Sequence, residues 1–284
     1  MAVTRFVPQI WAANLTVALE KAHVFAQGGI VNRDYEGEIS QFGDTVHITS
    51  ISDPTIGTYV ANSTTITAEE LTDTRRSLNI DQAKYFAFKV DDVDKRQARG
   101  NVIPTAMQRA AYKLRDAVDS YLAGLYTSVP TANALGTVAV TAGTPTAAYD
   151  SVLVPLGVKL DEANVPSEGR WVVVPPWFHG RLQLDGRFVK VNEAADNGQG
   201  LRNGFIGRAA GFDIFKSNNS VLVTGDDYSV LAGTDMAISF AEQINQVEAY
   251  RATDSFSDVV RGLHLWGARV VRPEGLASAV ASQT

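Results

Sequence analysis

The chain has 284 residues, 45% of them hydrophobic and 20% charged, with a formal net charge of −6 and no cysteine. That length can bury a sizeable core, and the composition is that of ordinary globular protein. Disulfides and thiolate metal sites are excluded, mild acidity argues against a sequence reader of DNA, no apolar run approaches a bilayer span, and Met1 to Trp11 lacks the basic-then-apolar layout of a signal peptide.

Residues 1–42 read as an arm. Asn14 to Gln27 places Leu15, Ala18, Leu19, Ala22 and Phe25 on one helical face, and Gly28 and Gly29 end that helix. Phe6, Ile10 and Trp11 are large apolar groups with no local partner, which makes them candidate contacts to another subunit.

Residues 43–90 read as a hairpin. Thr45 to Thr49 alternates, with Val46 and Ile48 on one face, and Phe86, Phe88 and Val90 repeat the alternation. Between them, Ser52 to Asp81 is rich in threonine and poor in large apolar residues. Such a segment cannot offset its own ordering entropy by burial. At roughly 30 residues it is long for a connection inside a compact domain, so it is expected to project outward.

The clearest helix runs from Pro104 to Tyr126. Asn101 suits the N-cap region and Pro104 the first turn. Met107, Ala110/Ala111, Leu114, Val118, Tyr121/Leu122 and Leu125 recur at spacings of three and four, and Arg115 and Asp119 stand at i, i+4. Such a rod predicts a spine against which a sheet packs. Residues 127–147 read as a connection. A second helix is expected over Tyr149 to Asn164 despite Pro155, which a helix interior disfavours. Arg170 to Val174 reads as a buried strand, Pro175 and Pro176 open a short helix to Leu184, and Gly186 to Gly211 is loop-like. Strands are expected at Phe212–Lys216, Tyr228–Ala232, Ala237–Ala241, Val259–Trp266 and Ala268–Arg272, with Pro273 ending the ladder. The order is that of an α+β protein with two lobes.

Motifs that carry chemistry are wanting. His23, His47, His179 and His264 show no helical zinc spacing. Asp91, Asp92 and Asp94 do not follow a calcium-loop pattern and read as the acidic flank of the following helix. Gly198, Gly200 and Gly204 fit neither a dinucleotide fingerprint nor a P-loop, and no nucleophile elbow is present. No catalytic, cofactor or metal residue is assigned, although a site dispersed along the sequence would leave no motif.

Three stretches carry a family resemblance. They are Lys159-Leu160-Asp161-Glu162-Ala163-Asn164-Val165-Pro166 with Gly169-Arg170-Trp171-Val172-Val173-Val174-Pro175-Pro176, then Ile206-Gly207-Arg208-Ala209-Ala210-Gly211-Phe212-Asp213-Ile214 leading to Ser217-Asn218, and Gly267-Ala268-Arg269-Val270-Val271-Arg272-Pro273-Glu274-Gly275. In wording and order they are similar to the coat proteins of short-tailed phages, major capsid proteins of the Hong Kong 97-type fold. The resemblance implies an α+β fold with an N-terminal arm at 1–42 and an extended loop at 43–90 lying over a neighbour. It implies a peripheral domain with the spine helix at 91–147 and 246–284, and an axial domain at 148–245. It also implies a non-enzymatic subunit of the virion, made and assembled in the host cytoplasm, forming pentamers and hexamers around double-stranded DNA that is packed without sequence reading. A separate scaffolding protein, a portal and a decoration protein are the implied partners, and no membrane is involved.

Some members of that family weld subunits through a lysine on the loop. Here no lysine lies between Lys21 and Lys84. Arg75 and Arg76 are poor nucleophiles and are instead candidate donors of charge-assisted bonds to a neighbour's carboxylates. Two other readings stay open: an encapsulin-like nanocompartment shell that binds cargo peptides, and a soluble enzyme with a dispersed site.

Overall fold

The computed structural model describes residues 24–34, 45–51, 54–59, 61, 65, 68–70, 73–91, 102–186, 207–253 and 255–284. Phe6, Ile10 and Trp11 lie outside them, as do Asp92, Asp94 and His23. Among the described residues, the strands form a two-stranded ribbon, a three-stranded sheet and a seven-stranded sheet.

The ribbon pairs β1 (Thr45–Ile51) with β2 (Asp73–Asn79) antiparallel over seven residues, from Thr45 opposite Asn79 to Ile51 opposite Asp73. This corrects the expected hairpin. The return strand is β2, which the sequence hid inside the polar connection. Phe86 to Val90 belongs to β3 (Gln82–Asp91), which leaves the ribbon and joins another sheet. β2 carries no apolar alternation, so Arg75 and Arg76 sit in a strand without announcing it.

In the three-stranded sheet, β11 (Ser257–Val270) lies between β3 and β10 (Ile238–Arg251), antiparallel to both. Ala237–Ala241 is thus only the start of a 14-residue strand. The two strands expected at Val259–Trp266 and Ala268–Arg272 are one, continuous through Gly267. Gly267 is there for closeness: a Cβ on it would stand 2.2 Å from the Asn79 carbonyl oxygen.

The spine is α1 (Val102–Gly124), continued by a 3₁₀ turn at Leu125–Ser128. At 1.5 Å per residue it is about 35 Å long. Its apolar stripe serves two cores in succession. Met107, Ala111 and Leu114 pack with Val247 and Val260 on the three-stranded sheet, flanked by Phe86 and Phe88. Val118, Leu122 and Ala123 pack with Trp171, Val173, Leu231, Phe240 and Trp266. One helix therefore ties the two sheets together. Asp119, on the same rod, accepts the Val24 amide N–H at 3.3 Å, and the Arg115 guanidinium lies 4.3 Å from the Tyr112 ring centre.

The seven-stranded sheet runs β4 (Ala134–Ala139), β12 (Leu276–Ser282), β9 (Asp227–Thr234), β5 (Arg170–Val174), β7 (Phe212–Lys216) and β6 (Arg208–Ala209), with β8 (Leu222–Thr224) on β9. It is a wall between two cores. Val172 and Val174 of β5, Val230 and Ala232 of β9, and Ala277, Ala279 and Ala281 of β12 face α2 (Val154–Glu162) and α3 (Pro176–Leu184). Trp171, Val173, Leu231 and Leu276 face the spine. Every β5 residue is buried, and each large apolar side chain so buried contributes about 1.5–3 kcal/mol. Four strands of this sheet were not expected, the short β6 and β8 and two longer ones: β4 lies in the presumed connection and β12 follows Pro273. Both join this sheet, so sheet membership crosses the sequence boundaries at 147/148 and 245/246.

Local details explain the family-like stretches. Pro155 is accommodated by a change of helix type: a π-helical turn at Ala148–Leu153 hands over to α2, with Pro155 in its first turn, where a missing N–H costs nothing. After α2, Asn164 takes the left-handed conformation (φ 56°). The buried Arg170 guanidinium then clamps the turn, donating to Asp161 Oδ1 (2.7 Å) and to the carbonyls of Val165 (2.6 Å) and Pro166 (2.8 Å). Ala210 and Gly211, at φ 50° and 81°, make the two-residue turn between β6 and β7.

Residues 24–34 correct part of the arm reading. From residue 24 the chain turns instead of continuing a helix to Gln27; the Gln27 carbonyl accepts both the Ile30 (2.9 Å) and Val31 (3.1 Å) amides. Phe25, Ala26, Ile30 and Val31 are buried in the chain's own spine-side core. Asn32 bridges to β10, donating to Ile238 O at 2.8 Å and accepting from Phe240 N at 2.9 Å.

Candidate assembly surfaces

Buried polar chemistry is confined to structural clusters. Arg33 Nη2 meets Glu242 Oε1 at 2.5 Å, and the other Glu242 oxygen accepts from His264 Nε2 at 3.1 Å. His264 is fully buried beside Trp266, with ring centres 5.0 Å apart. The network fastens segment 24–34 to β10 and β11. His179 is half-buried on α3; burial first, and the Lys216 ammonium second, hold its imidazole below the usual histidine range. Among the described residues no group of three or more His, Asp or Glu side chains is placed to hold a metal ion. No helix among them is long and apolar enough to cross a membrane.

What the fold leaves for function is surface. Beyond β1 and β2, all described residues of the loop, from Pro54 to Glu70, are exposed, including Ile56 at 95% and Tyr59 at 67%. The loop's two limbs are pinned by Glu69, which accepts from the Thr55 amide (2.9 Å) and hydroxyl (3.2 Å). Those bonds hold the Glu69 carboxyl below its ordinary range. At the other end the ribbon is tied to the subunit. Arg76 Nη1 donates to the Val271 carbonyl, and Arg269 Nη1 donates to the Ser77 carbonyl at 2.8 Å. Arg76 thus bonds within its own chain. Arg75 pairs through its backbone with Thr49, and its side chain lies outside the described set.

The three-stranded sheet has one covered face and one half-covered face. Phe86, Phe88, Val247 and Val260 point to the spine. On the opposite face Leu78 and Ile80 pack on Ala241 and Leu265, with Leu263 beside them. Farther along that face Tyr85 (79% exposed), Ala87 and Lys89 stand open on β3. Next to them Arg261 pairs with Glu248 at 2.6 Å and lies 5.2 Å from the centre of the Tyr250 ring. Ile56, Tyr59 and Tyr85 were not singled out from the sequence. The available signal for Tyr85 was the strand alternation itself, which puts a large aromatic on the face opposite Phe86 and Phe88.

A family model described as phage capsid protein matches residues 73–279. A comparison with curated proteins found no match. Among solved structures, a chain of Mycobacterium phage Che8 is 34% identical, with a TM-score of 0.73, covering 92% of this chain and 91% of that chain. The capsid of the cyanophage P-SCSP1u is 17% identical, with a TM-score of 0.69 over 93% of this chain and 89% of that one. The encapsulin of Synechococcus elongatus is a weaker likeness of fold, 12% identical with a TM-score of 0.52 over 74% of this chain and 76% of its own. A spine helix bridging two sheets, an exposed ribbon loop and a matching family model lead to one conclusion: the chain belongs to the phage capsid protein family, with the Hong Kong 97-type fold, and is a non-enzymatic structural subunit of the virion shell.

Proposed function

We propose that this subunit assembles with its own copies, as pentamers and hexamers, into the icosahedral head that encloses double-stranded DNA. The observation that carries the reading is the ribbon loop. It is fastened at its base by Arg76 and Arg269, yet it exposes Ile56 and Tyr59 at its far end. A monomer gains nothing from such a projection, whereas a closed shell orders it on a neighbour. In this reading the arm, with Phe6, Ile10 and Trp11, also reaches a neighbour, and Arg75 adds a charge-assisted bond across the subunit boundary. The peripheral unit holds the spine and the three-stranded sheet, and the axial unit is the seven-stranded sheet with α2 and α3. On sheet membership the axial unit takes in β4 and β12 as well as the strands of residues 148–234, while residues 238–245 go with β10 to the peripheral unit. A separate scaffolding protein directs closure, a portal occupies one vertex, and a decoration protein reinforces the outside. A chain of net charge −6 lines DNA without the strong adhesion that phosphate neutralisation brings.

Negative-stain microscopy of the purified chain, alone and with scaffolding protein, tests this reading. Closed shells built of rings are the expected result. A monodisperse monomer under all conditions would overturn it, and shells that hold cargo protein but never nucleic acid would favour the nanocompartment instead.

A further inference from the structure

The spine helix has a second face. Met107, Ala111 and Leu114 of α1 point to the three-stranded sheet, which leaves Gln108, Arg109, Tyr112 and Lys113 exposed to solvent. Arg109 and Lys113 stand at i, i+4, one turn apart on that outer side. Arg115, half-buried, lays its guanidinium 4.3 Å from the centre of the exposed Tyr112 ring, which holds the cation in place without neutralising it. Arg109 and Arg115 meet no carboxylate among the described residues. Lys113 has Asp116 at 3.9 Å, with its own side chain 77% exposed. The sequence keeps the same sign: from Lys95 to Arg115 it has six bases and no acid, in a chain of net charge −6.

This face fits a polyanion better than a protein partner. A helix that docks in a groove needs a row of apolar anchors, and Tyr112 is the one large side chain with an apolar body exposed on the described helix. A phosphate backbone needs only cations and hydroxyl donors at the surface, and Arg109, Lys113, Arg115 and Tyr112 supply them. The layering fits as well. The cationic face, the three-stranded sheet and the loop base of Leu78 and Ile80 are stacked in that order. The cationic face and the loop base therefore look to opposite sides of the peripheral unit, and a closed shell has one lumen.

We propose that the outer side of the spine helix faces the lumen of the shell and takes the phosphate backbone of the enclosed duplex through Arg109, Lys113 and Arg115, without reading its sequence. The inference rests on the shell reading above and adds which side of the subunit meets DNA and through which residues. The contact is weak in each subunit, because three cations neutralise about three phosphates and the acidic balance of the chain opposes a general coating. Every copy repeats it, so the outermost DNA is held to the wall while the rest stays free.

The test measures binding of a short fluorescent DNA duplex, in two unrelated sequences, to unassembled full-length subunits and to closed empty shells by anisotropy. Subunits are expected to bind both sequences alike, with an affinity that falls steeply as salt rises. Arg109→Gln/Lys113→Gln should weaken binding about tenfold or more at about 50 mM salt and lower the slope of log affinity against log salt by about 1.8, at about 0.9 per phosphate contact. Lys89→Gln/Lys216→Gln removes the same charge from exposed positions elsewhere and should leave the slope unchanged. Closed shells should leave the added duplex free, because the binding face is inside. Circular dichroism confirms that each variant is folded. Subunits that do not bind, or a spine variant that binds like wild type, overturn the assignment. Closed shells that bind added duplex as subunits do would put the spine outside and overturn it too. Stronger retention of polyglutamate than of duplex would make the partner an acidic protein and also count against it. Wild-type subunits that never close into shells would fail the shell reading itself, a result distinct from all of these.

Discussion

Replacing Gly267 by alanine is the sharpest probe of how the loop is mounted. A Cβ there would sit 2.2 Å from the Asn79 carbonyl oxygen and 3.0 Å from both its carbonyl carbon and Ile80 Cδ1. Real contacts of this kind do not fall below about 3 Å, so residues 79–80 must lift from the sheet. The obstacle is backbone, which a rotamer change cannot relieve. Overpacking of this kind costs about 1–3 kcal/mol. Lifting Leu78 and Ile80, both fully buried on Ala241 and Leu265, forfeits part of about 1.5–3 kcal/mol for each. Gly267→Ala is therefore expected to cost about 2–4 kcal/mol. Gly262→Ala is the control on the same strand. The nearest atoms to its Cβ would be the ring edge of Phe86, at 2.4 Å, and that side chain can shift where backbone cannot, for about 1 kcal/mol, the low end of the overpacking range. Urea unfolding of unassembled subunits measures both, and proteolysis near residues 73–81 reports whether the ribbon has loosened. If Gly267→Ala is neutral, or costs no more than Gly262→Ala, the loop base is not seated on this sheet and the reasoning fails.

Leu114→Ala, at a buried spine position against Val247 and Val260, should cost about 2–5 kcal/mol in the same assay; a loss below about 0.5 kcal/mol would mean that this face of the helix is exposed. Mature particles boiled in detergent should run as a single subunit band, because the loop lacks a lysine between Lys21 and Lys84 and the chain lacks cysteine; a ladder of covalent oligomers would refute this. His179 is held below the usual histidine range by burial and by Lys216, so the unfolded chain takes up a proton that the folded subunit resists. Stability should fall as pH drops through the ordinary imidazole range and level off once the folded form is protonated as well. His179→Gln should flatten that slope, and an unchanged slope would assign it to other groups.

How much of this was legible in the sequence depended on whether burial had one face or two. The spine announced itself, because Met107, Ala111, Leu114, Val118 and Leu122 all bury one stripe. Arg170 to Val174 was plain for the opposite reason, being apolar on both faces of a wall. The missed strands bury through other means. β12 fills its core face with Ala277, Ala279 and Ala281, residues too small to stand out as a hydrophobic pattern. β4 contains Gly136 at φ 71°, and its pairing with β12 is irregular there. β2 carries a single large apolar residue, Leu78, and so shows no alternation. Gly267 imitated a strand break, because what requires it is the Asn79 carbonyl, far away in sequence. The assembly surfaces were harder still. An exposed Tyr85 means little until the fold shows that the rest of its face is covered.

The place of β12 bears on when a subunit becomes competent. The final strand is not an edge added last: it lies between β4 and β9, parallel to one and antiparallel to the other. The Val140 amide also waits on the Ser282 carbonyl, at 2.8 Å. Until Leu276–Ser282 is in place, β4 has no sheet to join and the wall between the two cores has a gap. A chain without β12 therefore lacks a finished seven-stranded sheet. The fold makes β12 a precondition for a finished wall, so a chain truncated before Leu276 lacks part of both cores and is a faulty copy for any lattice it enters.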